Sequence, residues 1–534
     1  MRILTASDHA LLVEAADLDE AMRLNLAWDG LPGVLERIPG ARTVLVRFDP
    51  VRISADDLST VLEATEVDAA HLPATGDAVI PVRYDGEDLD EAASLLGVSA
   101  EELVNRHLAA DWRVAFSGFA PGFGYVVSSD PLFDVPRRSS PRTRVPAGSV
   151  ALAGQFTGVY PRESPGGWQL IGRTDAVMWD IDRTPPALLA PGATVRFEPV
   201  RETARLPDGH PGRNGDDPAR PGRVAAQHAA SAADGLGFGT DAAVEVVRPS
   251  LQLLVQDAGR PGYAALGVSA SGVADRRAMR DANRAVGNAT DAAVLESVGG
   301  TVLRFRGAGV AAVTGALGAL TLQDAEGRER SVAHGEPFAT VDGDHLTLGH
   351  PERGLRYVVA VRGGLDAAPA LGSRAADTLA GLGPERLGAG AVIRVGDAGV
   401  HPVEPDALPR DLPAPGELIE LEITLGPRDD WFTASALATL TDQEWTVTPR
   451  SDRVGIRLHG EVPLERARVG ELASEGAVTG AIQVPPDGQP VLFLPDHPLT
   501  GGYPIIGALT DRSLDLAGQL APGVRLRLTV KEPS

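Results

Sequence analysis

The residues best suited to chemistry lie in one irregular stretch, residues 137–174, which is crowded with arginine, glycine, proline and serine. Its guanidinium groups are planar donor forks that suit a carboxylate or a phosphate. Four of them belong to Arg142, Arg144, Arg162 and Arg173. Glycines and prolines give such a segment sharp, stiff corners. We therefore expect an anion-binding surface here, with ion pairs that fix barrel corners as the structural alternative.

The second half of the chain offers another pair of charged residues. Asp257 and Arg260 lie three positions apart in a glycine-containing turn, so we expect the carboxylate and the guanidinium to be held together. Such a pair could bind substrate or form a structural salt bridge. Soon after it, the pattern predicts a helix from about Asp275 to Val286, ended by Gly287, with Asn283 beside its apolar face.

Two histidines are candidates for proton transfer, His107 and His497. His107 lies near the C-terminal end of a predicted helix that opens at Ser99. Because the helix dipole favours a histidine there, a structural role is the default expectation for His107.

Composition excludes several classes of function. The formal charge of -23 argues against a nucleic-acid-binding surface, and the chain of 534 residues contains no cysteine for thiol chemistry or disulfides. Its only lysine is Lys531, so a P-loop, a Schiff-base site and a biotin-carrier lysine cannot be built. The histidines are scattered and predict no metal site. Without a membrane-length apolar run or a signal-peptide core, we expect a soluble, cytoplasmic protein.

The pattern predicts an α+β, mainly β chain of several domains. Residues 1–75 read as a small α/β unit with the order β-α-β-α, and residues 76–201 as a closed or nearly closed β-barrel. Residues 202–242 have the composition of a disordered linker. Residues 243–400 and 401–534 read as two further β-barrel lobes with one conspicuous helix.

The first half carries three segments typical of a known family. They are FSGFAPGFGYV (116–126), SPRTRVPAGSV (140–150) and YPRESPGGWQLIGRT (160–174). Through them, residues 1 to about 200 resemble the B subunit of bacterial 5-oxoprolinase, a family also known as allophanate hydrolase subunit 1 or the Kip-type kinase inhibitor.

The second half, from about residue 243 to residue 530, resembles the C subunit of the same enzyme, also known as allophanate hydrolase subunit 2 or the Kip antagonist. The segments that carry this are QDAGRPGY (256–263), SGVAD (271–275), the run from Ala282 to Asn288, GSR (372–374), SDRVGIRL (451–458), GAIQVPPDGQP (480–490) and TGGYP (500–504). Together the halves also resemble the carboxyltransferase region of urea carboxylase.

The resemblance implies cyclophilin-like β-barrels and a fused B/C component of an ATP-dependent 5-oxoprolinase-type amidohydrolase. Such an enzyme opens 5-oxoproline to glutamate together with a separate A subunit, and the two halves are expected to pair within or between chains. ATP, with Mg²⁺, would be held by arginines and backbone amides of this chain or by the A subunit. No biotin is expected on this chain, and neither nucleic acid nor membrane is an expected partner.

The resemblance also places site residues. In the first half it favours Arg142, Arg144 and Arg173 for anion contacts, with Ser149, Ser164, Gly166 and Gly167 lining the pocket. In the second half it favours Asp257, Arg260, Asn283, Arg453, Gln483 and Tyr503. One departure stands out: the family's C subunit reads D-x-Q-T-T-G-G-Y-P, whereas Pro498 and Leu499 here replace the glutamine and the first threonine. This predicts a different substrate or a lower activity.

Two other functions stay open from the sequence. Family members of the Kip type inhibit a histidine kinase, although tethering an inhibitor to its antagonist would hold it silenced. A carboxyltransferase that uses an external biotin carrier is the other alternative. Binding to a kinase domain, or activity that depends on a biotinylated protein, would distinguish them.

Overall fold

The computed structural model describes residues 1–67, 74–138, 142–200, 242–397, 401–404, 410–468, 470 and 472–531. The predicted linker, residues 202–242, lies almost entirely outside this part of the chain, as do Ser140 and Pro141 of one family segment. Sheets dominate the described residues and helices are few, which confirms the predicted α+β, mainly β fold class. None of the described helices is long and apolar enough to cross a membrane.

The N-terminal domain is a four-stranded antiparallel sheet with two helices. Its elements are β1 (Arg2–Ser7), β2 (Ala10–Glu14), α1 (Leu18–Ala27), β3 (Val34–Pro39), β4 (Thr43–Phe48) and α2 (Ala55–Ala64). The strand order is β1-β2-β4-β3. The predicted β-α-β-α order missed β2 and β3, because β2 follows β1 after only two residues and β3 carries a register shift.

The second domain is a seven-stranded sheet that closes on itself. Its elements are β5 (Asp77–Val82), α3 (Leu89–Leu95), α4 (Ala100–Ala109), β6 (Trp112–Ser117), β7 (Gly124–Val127), β8 (Arg142–Val145), β9 (Ser149–Ala153), β10 (Phe156–Val159), β11 (Ser164–Gly166), β12 (Gln169–Arg173) and β13 (Thr194–Pro199). The order is β12-β9-β10-β7-β6-β13-β5, with β8 and β11 as a separate ribbon. Backbone hydrogen bonds between Arg83 and Arg173 join the two edges, so the sheet forms a barrel.

The third domain consists of two sheets around one core. Its elements are β14 (Ala243–Arg248), β15 (Gln252–Gln256), α5 (Arg276–Val286), β16 (Val294–Val298), β17 (Thr301–Arg306), β18 (Gly309–Leu317), β19 (Leu320–Gln323), β20 (Glu329–Ser331), β21 (Phe338–Thr340), β22 (His345–Leu348), β23 (Arg353–Val361), β24 (Leu365–Asp366) and β25 (Val392–Val395). The sheets have the orders β20-β19-β22-β17-β14-β25-β24 and β15-β16-β23-β18-β21. The predicted helix is α5, capped by Asp275 and ended by Gly287 at a φ of 69°.

The last domain is a closed seven-stranded barrel. Its elements are β26 (Leu418–Leu425), α6 (Ala434–Asp442), β27 (Trp445–Val447), β28 (Gly455–His459), β29 (Glu475–Gly476), β30 (Ala481–Gln483), β31 (Val491–Phe493), β32 (Thr500–Gly501), β33 (Ile505–Leu509), α7 (Asp511–Ala517) and β34 (Arg525–Val530). The barrel order is β26-β33-β30-β31-β28-β27-β34, and β29 pairs with β32 outside it. Short 3₁₀ turns lie at Ala264–Leu266 and Asp429–Trp431.

The two halves of the chain pack directly on each other. One hydrophobic cluster combines Leu12, Ile38 and Leu45 of the N-terminal domain with Phe493 and Leu499 of the last barrel. At the edge of this cluster, the Ala41 N–H donates to the Ser474 carbonyl at 2.8 Å. Because this contact is a buried apolar core, the seam between the halves is part of the fold.

Candidate functional site

A cavity of about 230 Å³ lies where three of the four domains meet. Its walls come from the N-terminal sheet, from the turns between β15 and α5, and from the segment after β31. We call that last segment, residues Leu494–Tyr503, the central strap. Two of the family segments named above contribute to this cavity, namely residues 256–263 and 271–275, together with the part of the strap that precedes residue 500. Neither half of the chain builds the cavity alone.

The polar wall of the cavity includes groups from both halves. Arg47 Nη1 donates to Glu36 Oε2 at 2.9 Å, and Glu36 Oε1 accepts the N–H groups of Gly262 and Ala264 at 3.0 and 3.1 Å. His9 faces the same space, and its Nδ1 lies 2.7 Å from Asp8 Oδ1. These contacts fix a cationic group, a carboxylate and an imidazole around one small volume.

His497 belongs to the central strap and also lines the cavity. Its Nδ1 donates to the Pro498 carbonyl at 3.0 Å, which leaves Nε2 as an acceptor in the neutral ring. Burial lowers the pKa of His497 to about 4, and the nearby Arg47 charge acts in the same direction. The imidazole is therefore neutral at pH 7 and can accept a hydrogen bond from a ligand N–H.

A buried ion network anchors the strap beside the cavity. Arg453 donates to both carboxylate oxygens of Asp496, at 3.0 and 3.2 Å, and also pairs with Glu296. Asp496 further accepts the Ser271 hydroxyl at 2.7 Å and both donors of Thr378. Burial alone would raise the pKa of Asp496, but Arg453 and these hydrogen bonds outweigh it and lower the pKa. Asp496 is thus an ionised anchor between the two lobes of the second half.

The carboxyl of Asp377 lies at the edge of this network. Burial and the neighbouring Asp496 charge raise the pKa of Asp377 to about 6, while hydrogen bonds from Ala380 N–H and Ser269 oppose the rise. Asp377 can therefore take up a proton more readily than an exposed carboxylate, which limits repulsion between the acidic groups around the strap.

Two residues other than glycine adopt left-handed backbone conformations at the junction. Ser271 has a φ of 51° and donates its hydroxyl to Asp496, and Phe119 has a φ of 61° in the aromatic turn of the first half. Such conformations cost free energy and persist only where surrounding contacts hold them. Both residues are held by the strap, because the Phe119 N–H donates to Thr500 Oγ1 at 2.9 Å.

Thr500 is the point where the strap meets the first half. Its buried hydroxyl lies 3.1 Å from Tyr125 Oη and also accepts the Phe119 N–H. Gly118 makes room for it, since a Cβ at that position would lie 2.5 Å from Thr500 Oγ1. The glycine-rich aromatic turn of residues 117–125 is thus a docking corner for the strap.

A second cavity of about 550 Å³ also lies between the halves. Arg42, Asp130, Arg137 and Ser474 are among its lining residues, and Arg137 Nη2 donates to Ser474 Oγ at 2.8 Å. Arg137 passes close to Gly502 of the strap, where a side chain would collide with its guanidinium. Fewer residues of the family segments line this cavity than line the cavity of about 230 Å³, so that smaller cavity is the stronger candidate site.

The arginines predicted for anion binding in the first half lie away from both cavities. Arg142 Nη2 donates to Asp88 Oδ1 at 2.6 Å, Arg144 pairs with Glu163 at 2.6 Å, and Arg173 pairs with Asp85 at 2.5 Å. Each guanidinium is thus paired with a carboxylate of this chain, which matches the ion-pair alternative. The three do not form an open cradle for a phosphate.

The other predicted pocket residues of the first half lie in the same barrel. Ser149 is buried and donates its hydroxyl to the Pro146 carbonyl at 2.8 Å, while Ser164 and Gly166 lie on β11. The Gly167 carbonyl accepts the Arg138 N–H at 2.8 Å. Tyr160 crowds Gly166 so closely that a Cβ there would lie 2.2 Å from its hydroxyl. These residues shape a barrel corner and do not line either cavity.

His107 is fully buried in the core of the second domain. The Thr157 hydroxyl donates its hydrogen to the Ala151 carbonyl, so the Thr157 oxygen accepts the N–H of His107 Nε2 at 3.0 Å. His107 Nδ1 then carries no hydrogen and accepts the Tyr84 hydroxyl at 2.8 Å. Burial lowers the pKa of His107 to about 3. Both nitrogens are occupied and Trp112 and Phe197 surround the ring, so the geometry favours the structural role over proton transfer.

Asp257 and Arg260 are not held together as expected. Asp257 accepts the Ser373 hydroxyl and the Arg374 N–H, both at 2.6 Å. Arg260 is buried and donates to the carbonyls of Ala370 and Ala375. The turn directs the two side chains to different parts of the same loop, because each satisfies backbone groups that would otherwise be buried without partners.

Asn283 is buried where α5 packs against the sheet, whereas the sequence pattern predicted a position beside the apolar face of that helix. Its amide donates to the Ala292 carbonyl at 2.9 Å and its oxygen accepts from Asn288 at 3.0 Å, so it fixes the turn after α5.

Gln483 donates to the Tyr503 carbonyl at 3.4 Å, and Arg466 lies over the Tyr503 ring. Gln483 and Tyr503 therefore support the end of the strap.

The sequence did not reveal several residues of the cavity. Glu36 and Arg47 lie on strands of the N-terminal sheet and His9 in the turn between β1 and β2, where the sequence carries no chemical signal; Asp496 is visible in the sequence only as the start of a changed loop. The available signal was the position of Asp496 between two family segments, but its partners Ser271 and Thr378 are more than a hundred residues distant.

Comparisons with known proteins agree with this two-part organisation. The family described as carboxyltransferase domain, subdomain C and D, matches residues 1–189, and the one described as carboxyltransferase domain, subdomain A and B, matches residues 266–530. The solved structure of TTHA0988 is 34% identical, with a TM-score of 0.77, and the match covers 97% of this chain and 99% of that one.

The similar curated proteins fall on separate halves. The 5-oxoprolinase B subunit of Escherichia coli O157:H7 is 41% identical over 32% of this chain and 81% of its own length. The 5-oxoprolinase C subunit of Escherichia coli K12 is 31% identical over 52% of this chain and 88% of its own length. The urea amidolyase of Lachancea kluyveri is 29% identical, but the match spans only 16% of that protein. The chain therefore belongs to the carboxyltransferase-domain family that includes the B and C subunits of 5-oxoprolinase, as a fusion of a B-like and a C-like half.

Proposed function

We propose that this protein is the fused B/C component of an ATP-dependent 5-oxoprolinase-type amidohydrolase that acts with a separate A subunit. The overall reaction is 5-oxoproline + ATP + 2 H₂O → glutamate + ADP + phosphate. The observation that carries the proposal is the cavity of about 230 Å³ between the two halves, which we call the junction cavity; its walls come from both halves and include two of the family segments. A site shared by B-like and C-like parts explains why both are needed.

The cavity groups complement a small cyclic amide with a carboxylate. Arg47 offers N–H donors besides the one that binds Glu36, and it can pair with the carboxylate of the ligand. The neutral His497 Nε2 can accept the lactam N–H. Aliphatic residues such as Ile38, Val478 and Leu499 form part of the remaining lining, and a less polar surrounding strengthens both contacts.

The chemistry requires the amide resonance of the lactam to be broken before water attacks the carbonyl. ATP supplies the driving force by transfer of its γ-phosphoryl group to an oxygen of the substrate. In this chain Arg142, Arg144 and Arg173 are each paired with a carboxylate, so these residues do not fit a nucleotide phosphate. We therefore assign the binding of ATP and its Mg²⁺ to the A subunit. We assign the binding and orientation of the lactam to this chain.

The experiment that tests the proposal is glutamate release from 5-oxoproline and ATP. It compares this chain alone, the A subunit alone and the mixture. Glutamate from the mixture only would support the shared role. If a folded A subunit together with this chain released no glutamate, the proposal would be wrong.

A carboxyltransferase that takes its carboxyl group from an external biotinylated protein is the second candidate. The names of the two matching domains favour it, but the matched urea amidolyase contains much more sequence than this chain. Its distinguishing result is activity that requires a biotinylated carrier and does not release glutamate.

A further inference from the structure

Among the described residues that line the junction cavity, five have ionisable side chains: His9, Glu36, Arg47, Arg276 and His497. The two arginines stay cationic and cannot take up a proton. The Glu36 carboxylate already accepts three N–H groups, one from Arg47 and two from backbone amides. Burial lowers the pKa of His497 to about 4, which makes it a weak base at pH 7. His9 is therefore the lining residue best suited to take a proton from water.

The ring of His9 is oriented by a carboxylate. Its Nδ1 lies 2.7 Å from Asp8 Oδ1, and an ionised carboxylate can only accept, so Nδ1 carries the hydrogen. The lone pair of the neutral ring is then on Nε2. Within the described part of the chain, His9 Nε2 has no hydrogen-bond partner. A carboxylate in this position fixes the tautomer of a histidine base and stabilises the imidazolium that forms when the base takes up a proton.

Asp8 and His9 are themselves held in place. Asp8 Oδ2 accepts the Asp511 N–H at 3.0 Å. Burial alone would raise the pKa of Asp8, but the hydrogen bonds from His9 and Asp511 outweigh it and lower the pKa. The His9 N–H donates to Ser7 Oγ at 3.2 Å, and the His9 carbonyl accepts the Phe48 N–H at 3.0 Å. Because Asp8 and His9 belong to the B-like half and Asp511 to the C-like half, contacts from both halves position the pair.

We propose that His9 is the general base that activates water for opening of the lactam ring, and that Asp8 is its positioning residue. The inference rests on the proposed function, because the water attacks the carbon of the phosphorylated lactam. It adds a chemical step in this chain to the binding and orientation of the lactam.

The base carries both protons of one water molecule to the ring nitrogen. Phosphoryl transfer from ATP to the lactam oxygen releases the amide proton and leaves a C=N bond. The water oxygen then bonds to the ring carbon, one of its protons moves through His9 Nε2 to the nitrogen, and the nitrogen receives the π electron pair. The second proton follows the same route as the C–N bond breaks and leaves its electron pair on nitrogen. The products are an amine and an acyl phosphate, which the second water of the overall reaction hydrolyses, and His9 is neutral again.

The test combines two measurements, glutamate release by this chain mixed with the A subunit, and calorimetric binding of 5-oxoproline to this chain. H9N keeps an N–H near the position of Nδ1 for Asp8 but has no counterpart of Nε2. Because a general base typically contributes about 10²–10⁴-fold to a rate, H9N should lower glutamate release by about that factor and leave 5-oxoproline binding unchanged. H459Q is the control, since His459 is exposed on β28 and does not line the cavity; it should keep both.

Chemical rescue distinguishes a base from a structural side chain. H9A removes the whole ring, so imidazole added to the solution should restore part of its glutamate release. D8N should also lower glutamate release, but imidazole should not restore it, because the His9 ring still occupies its place. H9N retains the contact with Asp8, so it serves even if H9A does not fold.

The outcomes separate this inference from the proposed function. Native glutamate release by folded H9N would overturn the inference and leave the proposed function standing. Loss of 5-oxoproline binding in H9N, without rescue of H9A by imidazole, would assign His9 to binding and would also overturn it. If the native chain with a folded A subunit released no glutamate, the proposed function would be wrong and this inference would fall with it.

Discussion

Replacing Thr500 with valine tests how the two halves hold the central strap. Valine keeps the shape of threonine but removes Oγ1, the acceptor for the Phe119 N–H at 2.9 Å and the neighbour of Tyr125 Oη at 3.1 Å. A donor left without a partner in a buried place costs about 1–3 kcal/mol. Phe119 has a φ of 61°, a conformation that persists only where surrounding contacts hold it, and the Thr500 hydroxyl is one of these contacts.

Amide hydrogen exchange at Phe119 measures this loss directly. An opening free energy lower by about 1–3 kcal/mol corresponds to exchange that is about 5–150 times faster. We expect T500V to show this acceleration in the peptide that contains Phe119, and a lower urea midpoint for the whole chain. T500S keeps the hydroxyl and should exchange like the native chain. Y125F removes only the Tyr125 hydroxyl group and should leave the Phe119 amide protected.

Two results would refute the reasoning. Exchange at Phe119 that is the same in T500V and the native chain would show that Thr500 does not hold the turn. Equal acceleration in T500S and T500V would show that the methyl packing matters and the hydrogen bond does not. Together the three variants separate the contributions of the Thr500 hydroxyl, the Thr500 methyl group and the Tyr125 hydroxyl.

Three further predictions concern burial of charge. D496N should destabilise the chain by about 3–5 kcal/mol in urea unfolding, because Arg453 loses its main ionised partner in a buried place; a change below about 1 kcal/mol would contradict the anchor role. R142A should destabilise more than R144A, whose ion pair is largely exposed and worth less than about 1 kcal/mol; equal effects would be evidence against the difference in burial. Burial lowers the pKa of both His107 and His497, so the folded chain binds fewer protons than the unfolded one. Their contribution to stability is present above about pH 6.5 and is lost as the pH falls toward 4, by up to about 1.4 kcal/mol per pH unit for each histidine. H497Q should reduce that slope, as measured by urea midpoints from about pH 7 to about pH 5, and an unchanged slope would count against a depressed His497 pKa.

Helix boundaries were predictable because they depend on neighbouring residues. Asp17, Ser54 and Ser99 each accept an N–H three residues further on, and Asp275 does the same for α5. Such caps need no information from the rest of the chain. The closed sheets were predictable only as a class, since short alternating strands indicate a barrel without stating which edges meet.

The site was not predictable in the same way, because its contacts join distant residues. Arginine chemistry suggests anion binding, yet Arg142 and Arg173 pair with carboxylates in the loop after β5. A sequence pattern shows a guanidinium but not the partner that occupies it. Conversely, Glu36 and Arg47 looked like ordinary strand residues, and only the packing of the N-terminal sheet on the strap places them at the cavity.

The position of the cavity also gives a physical reason for joining the two halves in one chain. Arg47 and Glu36 come from the B-like half, whereas Ser271, His497 and Leu499 come from the C-like half. A complex of separate chains must assemble before such a cavity exists, and its occupancy then depends on protein concentration. A covalent connection replaces that second-order step with an effective concentration set by the linker. The fused chain should therefore bind the proposed lactam ligand equally well at low and high protein concentration, whereas separately produced B-like and C-like halves should lose binding on dilution.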